Sequence, residues 1–254
     1  MQKQLIRTKT YKVEHARNTN SYTLYLQGQP SDYAHELYES ITKTDILLHA
    51  FHNEAESELN NELNNELNNE LNNELNNELE SDQLEEASIS FTAETVKPLS
   101  TFLKKGKLTN QETIKMIHDL SKQIAYLETN LLAFYGYELD DILVINEDTF
   151  FIASIKCLKK IDKTKCIYFY NPIDIPYFSN PELNELTKLP AKIDYRSSYY
   201  SLGALILFCS TNIYIFSELK ETDTILLPIY YTKWYWFLRR CFLQDSKQRI
   251  LLFI

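Results

Sequence analysis

Phosphate-binding loops need closely spaced glycines, and this chain has few of them. Its 254 residues contain only Gly28, Gly106, Gly136 and Gly203. No two are close enough for a G-x-G-x-x-G or P-loop pattern, in which backbone N–H groups surround a phosphate. Any nucleotide would therefore have to be held by other groups.

The histidines and cysteines form no recognisable reactive pattern either. His49 and His52 would point to opposite faces of a strand, which disfavours a shared metal ion, and we predict no metal site. No histidine follows His118, which disfavours a nucleophile–base pair that uses the C-terminal serines or cysteines. The four cysteines lack a C-x-x-C spacing, and we expect them to be reduced thiols of an intracellular, cytoplasmic protein.

Charge is concentrated in two stretches of the chain. Residues 54–86 hold 12 Asp and Glu and no Lys or Arg, so the net charge of −9 becomes +3 without them. The remainder has no basic stripe of the kind that binds nucleic acid, and we predict no nucleic-acid partner. Lys159, Lys160, Lys163 and Lys165 form a small basic cluster. A solvated loop is the simpler interpretation of this cluster, and contact with a partner's acidic surface is the alternative.

A four-residue repeat dominates the acidic stretch. Glu-Leu-Asn-Asn occurs five times in residues 58–77. On a helix the repeated leucines would drift by about 40° per repeat and form a spiral instead of a stripe. Asn is also a poor helix former, and the glutamates repel each other at i,i+4. The repeat is either an acidic docking arm or, the interpretation we favour, a solvated insertion.

Hydrophobic periodicity predicts the elements that must position these residues. We expect a β-hairpin from residues 10–16 and 21–26, a helix over 31–42, and strands over 46–51 and 87–92. A short helix over 98–105 precedes a long amphipathic helix that Thr109 or Asn110 caps. A hairpin over 142–145 and 149–153 follows, then a loop over 177–190, and two helices lie between residues 233 and 254.

Residues 197–217 contain no ionisable side chain except Cys and Tyr. A helix that is apolar on every face must be buried in protein or in lipid. Serine, threonine and asparagine interrupt the run, and its unbroken apolar part is too short for a membrane span. We therefore predict a buried central helix and no membrane contact.

The order of these elements resembles that of a protein kinase, and several motifs carry the resemblance. Asn180-Pro181-Glu182 is similar to the A-P-E motif that closes the activation segment. Residues 197–203 resemble the S-D-x-W/Y-S-L-G start of the central helix, and residues 241–249 resemble the closing C-L-x-x-D-P-x-x-R. Residues 126–128 resemble the Y-L-H that precedes the catalytic loop, and residues 94–99 fall at the expected hinge. The set covers about residues 87–254.

The resemblance implies an α+β, bilobal protein-kinase-like fold. A small, β-rich N-lobe would comprise residues 1–96, with the repeat inserted at 54–86, and a mainly helical C-lobe would comprise residues 97–254. It also implies a buried ion pair between Glu182 and Arg249. Removing one partner of such a pair costs about 3–5 kcal/mol.

The same alignment indicates that the catalytic groups are missing. Gly136 takes the position of the catalytic Asp, and Ser154 takes that of the metal-binding Asp. Asp141 takes the second metal-ligand position, and Ser198 replaces the Asp that anchors the catalytic loop. No lysine lies between Lys12 and Lys43 to bind phosphate. With the glycine loop absent too, the groups that position a phosphoryl group are largely lost.

The sequence therefore predicts a pseudokinase, without cofactor or transfer activity, that acts as a protein-binding scaffold or regulator. Its composition is similar to that of degenerate kinases of large DNA viruses and some protists, which would place it in a host cytoplasm or a virion. One alternative is a divergent, active Ser/Thr kinase that uses ATP and Mg²⁺, with Asp140 or Asp141 as base and Lys12 or Lys43 on phosphate. The other is an unrelated α+β binding protein.

Overall fold

The computed structural model describes residues 3–16, 19–27, 31–44, 46–47, 88–215 and 222–252. These residues form an antiparallel four-stranded sheet in the N-terminal part, followed by a mainly helical part, and the architecture is α+β. The shape is compatible with two lobes. The repeat at 54–86 and most of the predicted strand at 46–51 lie outside the described residues.

The N-terminal sheet contains β1 (Lys3–Arg7), β2 (Tyr11–His15), β3 (Ser21–Leu26) and β4 (Ser88–Thr92), in that order. Alternate side chains of β2 and β3 are buried, as the period of two requires. Helix α1 (Ser31–Thr42) buries Ala34, Leu37 and Ile41. The structure thus confirms the predicted hairpin and the helix that follows it.

A short connection leads into the helical part. Strand β5 (Val96–Pro98) is followed by α2 (Leu99–Phe102) and a 3₁₀ turn that ends at Gly106, whose φ is 127°. The amphipathic helix α3 (Asn110–Thr129) then begins with a capping box. Thr109 Oγ1 accepts from the Glu112 N–H, and the Glu112 carboxylate accepts from the Thr109 N–H. Of the two predicted caps, Thr109 is therefore the correct one.

Three small sheets are formed by β5 and by the segments that follow α3. The predicted hairpin, β7 (Ile142–Ile145) and β8 (Thr149–Ile152), is confirmed and joins β5 in one sheet. The sequence did not predict the other two sheets. They pair β6 (Leu132–Phe134) with β9 (Leu158–Lys160), and β10 (Cys166–Phe169) with β11 (Ala191–Asp194).

Helix α5 (Ser197–Thr211) lies at the centre of the helical part, preceded by the one-turn α4 (Pro181–Asn184). All but two residues of α5 are buried, and its contacts include α3 and α7 (Tyr235–Cys241). The predicted buried helix is therefore confirmed. Across the ranges described, no helix combines the length and the apolar character that a bilayer span requires.

Two predictions for the C-terminal half are wrong. The predicted loop at 177–190 contains α4, because Asn180 caps a turn that starts at Pro181. Between residues 233 and 252, the part of this range that the structure describes, the chain forms α7 and a 3₁₀ turn (Ser246–Gln248) instead of two helices. Asp245 caps that turn, and Arg249 then adopts extended backbone angles. A further short helix, α6 (Thr222–Leu226), precedes α7.

Candidate functional site

The candidate site lies where the N-terminal sheet meets the hairpin β7–β8. Asp141 immediately precedes β7, and Ser154 follows β8 by two residues, so strand pairing brings the two together. The Ala153 N–H donates to the Asp141 carbonyl at 2.8 Å. The Asp141 carboxylate accepts from the Glu138 N–H at 3.1 Å and interacts with the Ser154 hydroxyl. Burial raises the pKa of Asp141, and these two contacts oppose that shift.

The turn between β1 and β2 closes over this pair. Thr10 Oγ1 donates to Ser154 Oγ at 2.9 Å, and the Tyr11 hydroxyl donates to the Asp140 carbonyl at 2.6 Å. Tyr11 is fully buried, and this burial raises the pKa of its hydroxyl. Thr8 holds the turn in place, because its hydroxyl accepts from the Thr10 and Tyr11 N–H groups. The polar groups around Asp141 and Ser154 are thus hydrogen-bonded to side chains of the protein itself.

Gly136 has no room for a side chain. A Cβ added to it would lie 2.6 Å from Pro176 Cγ and 3.0 Å from the Phe178 carbonyl oxygen. Real Cβ atoms essentially never approach other heavy atoms to 2.6 Å. Pro176 is itself buried and fills the space in which a side chain at position 136 would begin.

The residues considered as substitutes for the catalytic groups are engaged elsewhere. Lys43 forms an ion pair with Glu39 on α1, and the Lys12 ammonium lies 4.1 Å from the centroid of the Tyr25 ring. The Asp140 carboxylate accepts from the Ser100 hydroxyl. Nearer the cleft, Lys156 pairs with Glu138 at 3.5 Å. The structure thus brings neither lysine to Asp141, and it gives Asp140 another partner.

Asn180 connects the Gly136 segment to the central helix, a role that the sequence did not suggest. Its side-chain amide donates to the Tyr135 carbonyl at 2.9 Å and to Ser201 Oγ on α5 at 3.0 Å, and its oxygen caps α4. Ser198 instead donates to the Tyr195 carbonyl at 2.9 Å, within the start of its own helix. The sequence placed Asn180 in the motif that resembles A-P-E, and an Asn before a Pro is also compatible with a helix cap, but neither signal indicates its bonds to Tyr135 and Ser201.

Glu182 and Arg249, 67 positions apart, are in contact in the structure. The guanidinium of Arg249 reaches the two carboxylate oxygens of Glu182 at 2.7 and 3.1 Å. Arg249 is 2% exposed and also donates to the carbonyls of Leu243 and Gln244. The side chain of Glu182 is 25% exposed, so its desolvation is partial. This pair fixes the end of the chain against α4.

A second polar contact links α3 to α5. The Tyr199 hydroxyl donates to Glu128 Oε2 at 2.8 Å, while Glu128 Oε1 is buried without a hydrogen-bond partner among the described atoms. Burial raises the pKa of Glu128 to about 7, and the hydrogen bond from Tyr199 and the charge of Arg196 only partly oppose the shift. Glu128 therefore titrates close to neutrality.

Within the described residues, no group of three or more His, Cys, Asp or Glu side chains is arranged to hold a metal ion. No protein-family model matches the chain, and no curated protein matches it. The function therefore has to be inferred from the geometry of the site.

Proposed function

We propose that the chain is a protein-kinase-like protein without phosphoryl-transfer activity, and that it acts as a protein-binding scaffold or regulator. The kinase likeness is supported by the element order, in which a sheet and α1 precede α3, the β7–β8 hairpin and the buried α5. It is also supported by the contact between Glu182 and Arg249. The kinase motifs predict contact between these two residues, whereas in an unrelated α+β protein the same contact would be a coincidence.

The observation that carries the loss of activity is the packing around Gly136. A phosphoryl acceptor needs a carboxylate that orients its hydroxyl. Pro176 occupies the space in which such a carboxylate would begin. A small local shift could not restore the group, because the neighbouring Phe178 carbonyl also accepts a hydrogen bond from the Tyr137 N–H.

The β1–β2 turn supplies a second reason to propose that Mg²⁺-ATP is not a ligand. Thr10 bonds to Ser154 and Tyr11 bonds to the Asp140 carbonyl, so these groups are already paired within the protein, and Asp141 faces a serine hydroxyl in place of a second carboxylate. Mg²⁺ prefers an octahedral set of oxygen ligands and is usually held through carboxylates and phosphates. No observation favours the divergent active kinase that the sequence left open.

A protein partner inside the cell is part of the same proposal. All four cysteines are free thiols, and three of them are buried. Free thiols are typical of reducing compartments. The cytoplasm, of the host if the protein is viral, is therefore the location that we propose.

The proposal is tested by thermal melting and by phosphate transfer. We expect that millimolar Mg²⁺-ATP leaves the melting temperature unchanged and that no labelled phosphate reaches the protein or a generic substrate. A ligand present at 100 times its Kd would add about 2.7 kcal/mol of stability, so binding of this strength would be visible. A nucleotide-induced shift together with transfer that Asp141→Ala abolishes would refute the proposal.

A further inference from the structure

A groove outside the candidate site has an unusual concentration of positive charge. It has a volume of about 830 Å³ and lies beside the β6–β9 sheet, with Tyr33 of α1 and Leu131 at its border. We call it the lysine groove. The residues that define it are Lys159, Lys160, Lys163, Lys165, Tyr168 and Tyr170.

Among the residues that the structure describes, the positive charge of the groove is only partly balanced, by Asp162 in its lining and by Glu128, whose carboxylate interacts electrostatically with Lys165. None of its four lysines lies within ion-pair distance of a carboxylate in the part of the chain that the structure describes. Asp162, the one acidic residue of the lining, is committed to the local turn. Its carboxylate accepts from the Thr164 N–H at 2.9 Å, from the Cys166 N–H at 2.8 Å and from the Thr164 hydroxyl.

The groove also offers apolar surface. Tyr170 is 71% exposed and Leu131 is 46% exposed, whereas Ile161 is buried in the floor. The Tyr168 and Tyr170 rings lie nearly parallel at a centroid distance of 6.1 Å. This spacing is too short for a base to stack between them, since each stacking contact needs about 3.5 Å. The exposed Tyr170 ring offers an apolar face against which an aliphatic side chain can pack.

We propose that the lysine groove binds an acidic protein segment in which carboxylates alternate with leucine or another aliphatic residue. The carboxylates would meet the four lysines, and the aliphatic side chains would lie against the tyrosine rings. This inference rests on the proposed scaffold function and names the class of partner. Charge complementarity of this kind gives specificity and a fast association rate.

The test uses the full chain and a fluorescein-labelled peptide of four Glu-Glu-Leu repeats, followed by fluorescence anisotropy. The matched peptide contains Gln in place of Glu. The groove variant is Lys160→Glu with Lys163→Glu, and a second variant is Tyr170→Ala, all at exposed positions. The control is Lys104→Glu with Lys107→Glu, two exposed lysines near the end of α2. Melting curves establish that each variant is folded.

We expect the acidic peptide to bind and the Gln peptide not to bind, with affinity falling as salt rises. The groove variant should weaken binding about tenfold or more, and the control should change it less than about twofold. Tyr170→Ala should also weaken binding. Absence of peptide binding, equal losses in the groove variant and the control, or stronger binding of a single-stranded oligonucleotide at the same lysines would overturn the assignment.

The two proposals fail separately. If the peptide does not bind and Mg²⁺-ATP causes no melting shift, the groove assignment is wrong and the proposed inactive scaffold stands. If Mg²⁺-ATP binds and phosphate is transferred while the peptide still binds at the lysines, the inactive scaffold is wrong and the groove assignment stands.

Discussion

At the scale of single residues, the close approach of Gly136 to Pro176 has the most direct consequences. A distance of 2.6 Å from an added Cβ to Pro176 Cγ requires movement of a buried, rigid ring. Overpacking of this kind typically costs about 1–3 kcal/mol. Gly136 is therefore required by packing, whatever the history of the position.

We expect Gly136→Ala to lower the free energy of unfolding by about 1–3 kcal/mol, because the new methyl group overlaps Pro176. Pro176→Ala removes the closest atom, so the double variant should lose less than the sum of the single losses. Urea denaturation of the four proteins measures this coupling. Additive losses would show that the methyl group is accommodated by another route.

Glu128 provides a prediction about pH. Its pKa in the folded protein is about 7, above the ordinary value of 4.5, so between these values the folded state holds the proton more tightly than the unfolded state. Stability from this group is therefore present at low pH and is lost as the pH rises through about 4.5 to 7. The loss is at most about 3 kcal/mol.

Glu128→Gln removes this titration while it keeps an acceptor for the Tyr199 hydroxyl. The variant should be more stable than the wild type at pH 8 and similar to it at pH 4, as measured by urea denaturation. Glu112→Gln is the opposite control, because a hydrogen bond and Lys105 lower the pKa of Glu112. Glu112→Gln should be less stable than the wild type at pH 8, and this difference should be smaller at pH 4. An unchanged pH slope in Glu128→Gln would contradict the assignment.

The sequence revealed part of the candidate site but not the contacts that complete it. The residue type alone shows that position 136 carries no carboxylate. The hydrophobic pattern of residues 142–145 and 149–153 predicts a hairpin, which Asp141 and Ser154 flank. The sequence could not indicate that Pro176, forty positions away, fills the space at Gly136, or that Asn180 bonds to Tyr135. Those contacts depend on the path of residues 161–180, which have no clear periodicity.

At the scale of elements, α5 shows which features a sequence specifies well. A run without charge has to be buried, and this holds wherever the run packs. The amphipathic face of α3 and the cap at Thr109 are equally local signals. By contrast, β9, β10 and β11 are only three or four residues long, and β9 and β11 mix lysine with apolar residues. Their pairing is decided by tertiary contacts, and the sequence did not predict them.

Gly203 decides how closely α5 approaches α7. A Cβ added there would lie 2.9 Å from Cys241 Cβ and 3.0 Å from the Phe242 ring. Gly203→Ala gains about 1 kcal/mol of helix propensity but should lose about 1–3 kcal/mol by overpacking. We expect net destabilisation in urea, and relief when Phe242→Leu is added. A net gain in stability would mean that α7 can move outward at little cost.

At the scale of the whole molecule, at least three links between described residues join the N-terminal sheet and α1 to the helical part. Two are the bonds from Thr10 to Ser154 and from Tyr11 to the Asp140 carbonyl. The third link is made by the side chain of Gln123 on α3. Its amide N–H group donates to Ser40 Oγ on α1 at 3.1 Å and to the Ile152 carbonyl at 2.9 Å. The hydrophobic core is also continuous across the junction. The two parts are therefore expected to unfold together.

Tyr11→Phe tests this coupling. The change removes only the hydroxyl and leaves the Asp140 carbonyl without that donor, which should cost about 1–3 kcal/mol. Hydrogen exchange should accelerate in β1 and β2 more than in α3. Tyr25→Phe is the matched control, because the Tyr25 ring lies under Lys12 on the same sheet and does not bridge to the helical part. Equal effects of both variants would contradict a bridging role for Tyr11.

The closure of the β1–β2 turn over Asp141 also has a mechanical consequence. Two parts of a protein can open and close about a hinge when only a bound ligand connects them. Here the hydroxyl groups of Thr10 and Tyr11 already connect the N-terminal sheet to the helical part. The relative angle of the two parts is then fixed before any encounter. A partner would meet a preformed surface and would spend little of its binding free energy on ordering that surface. For the scaffold function that we propose, these bonds favour a preformed adaptor over a moving switch.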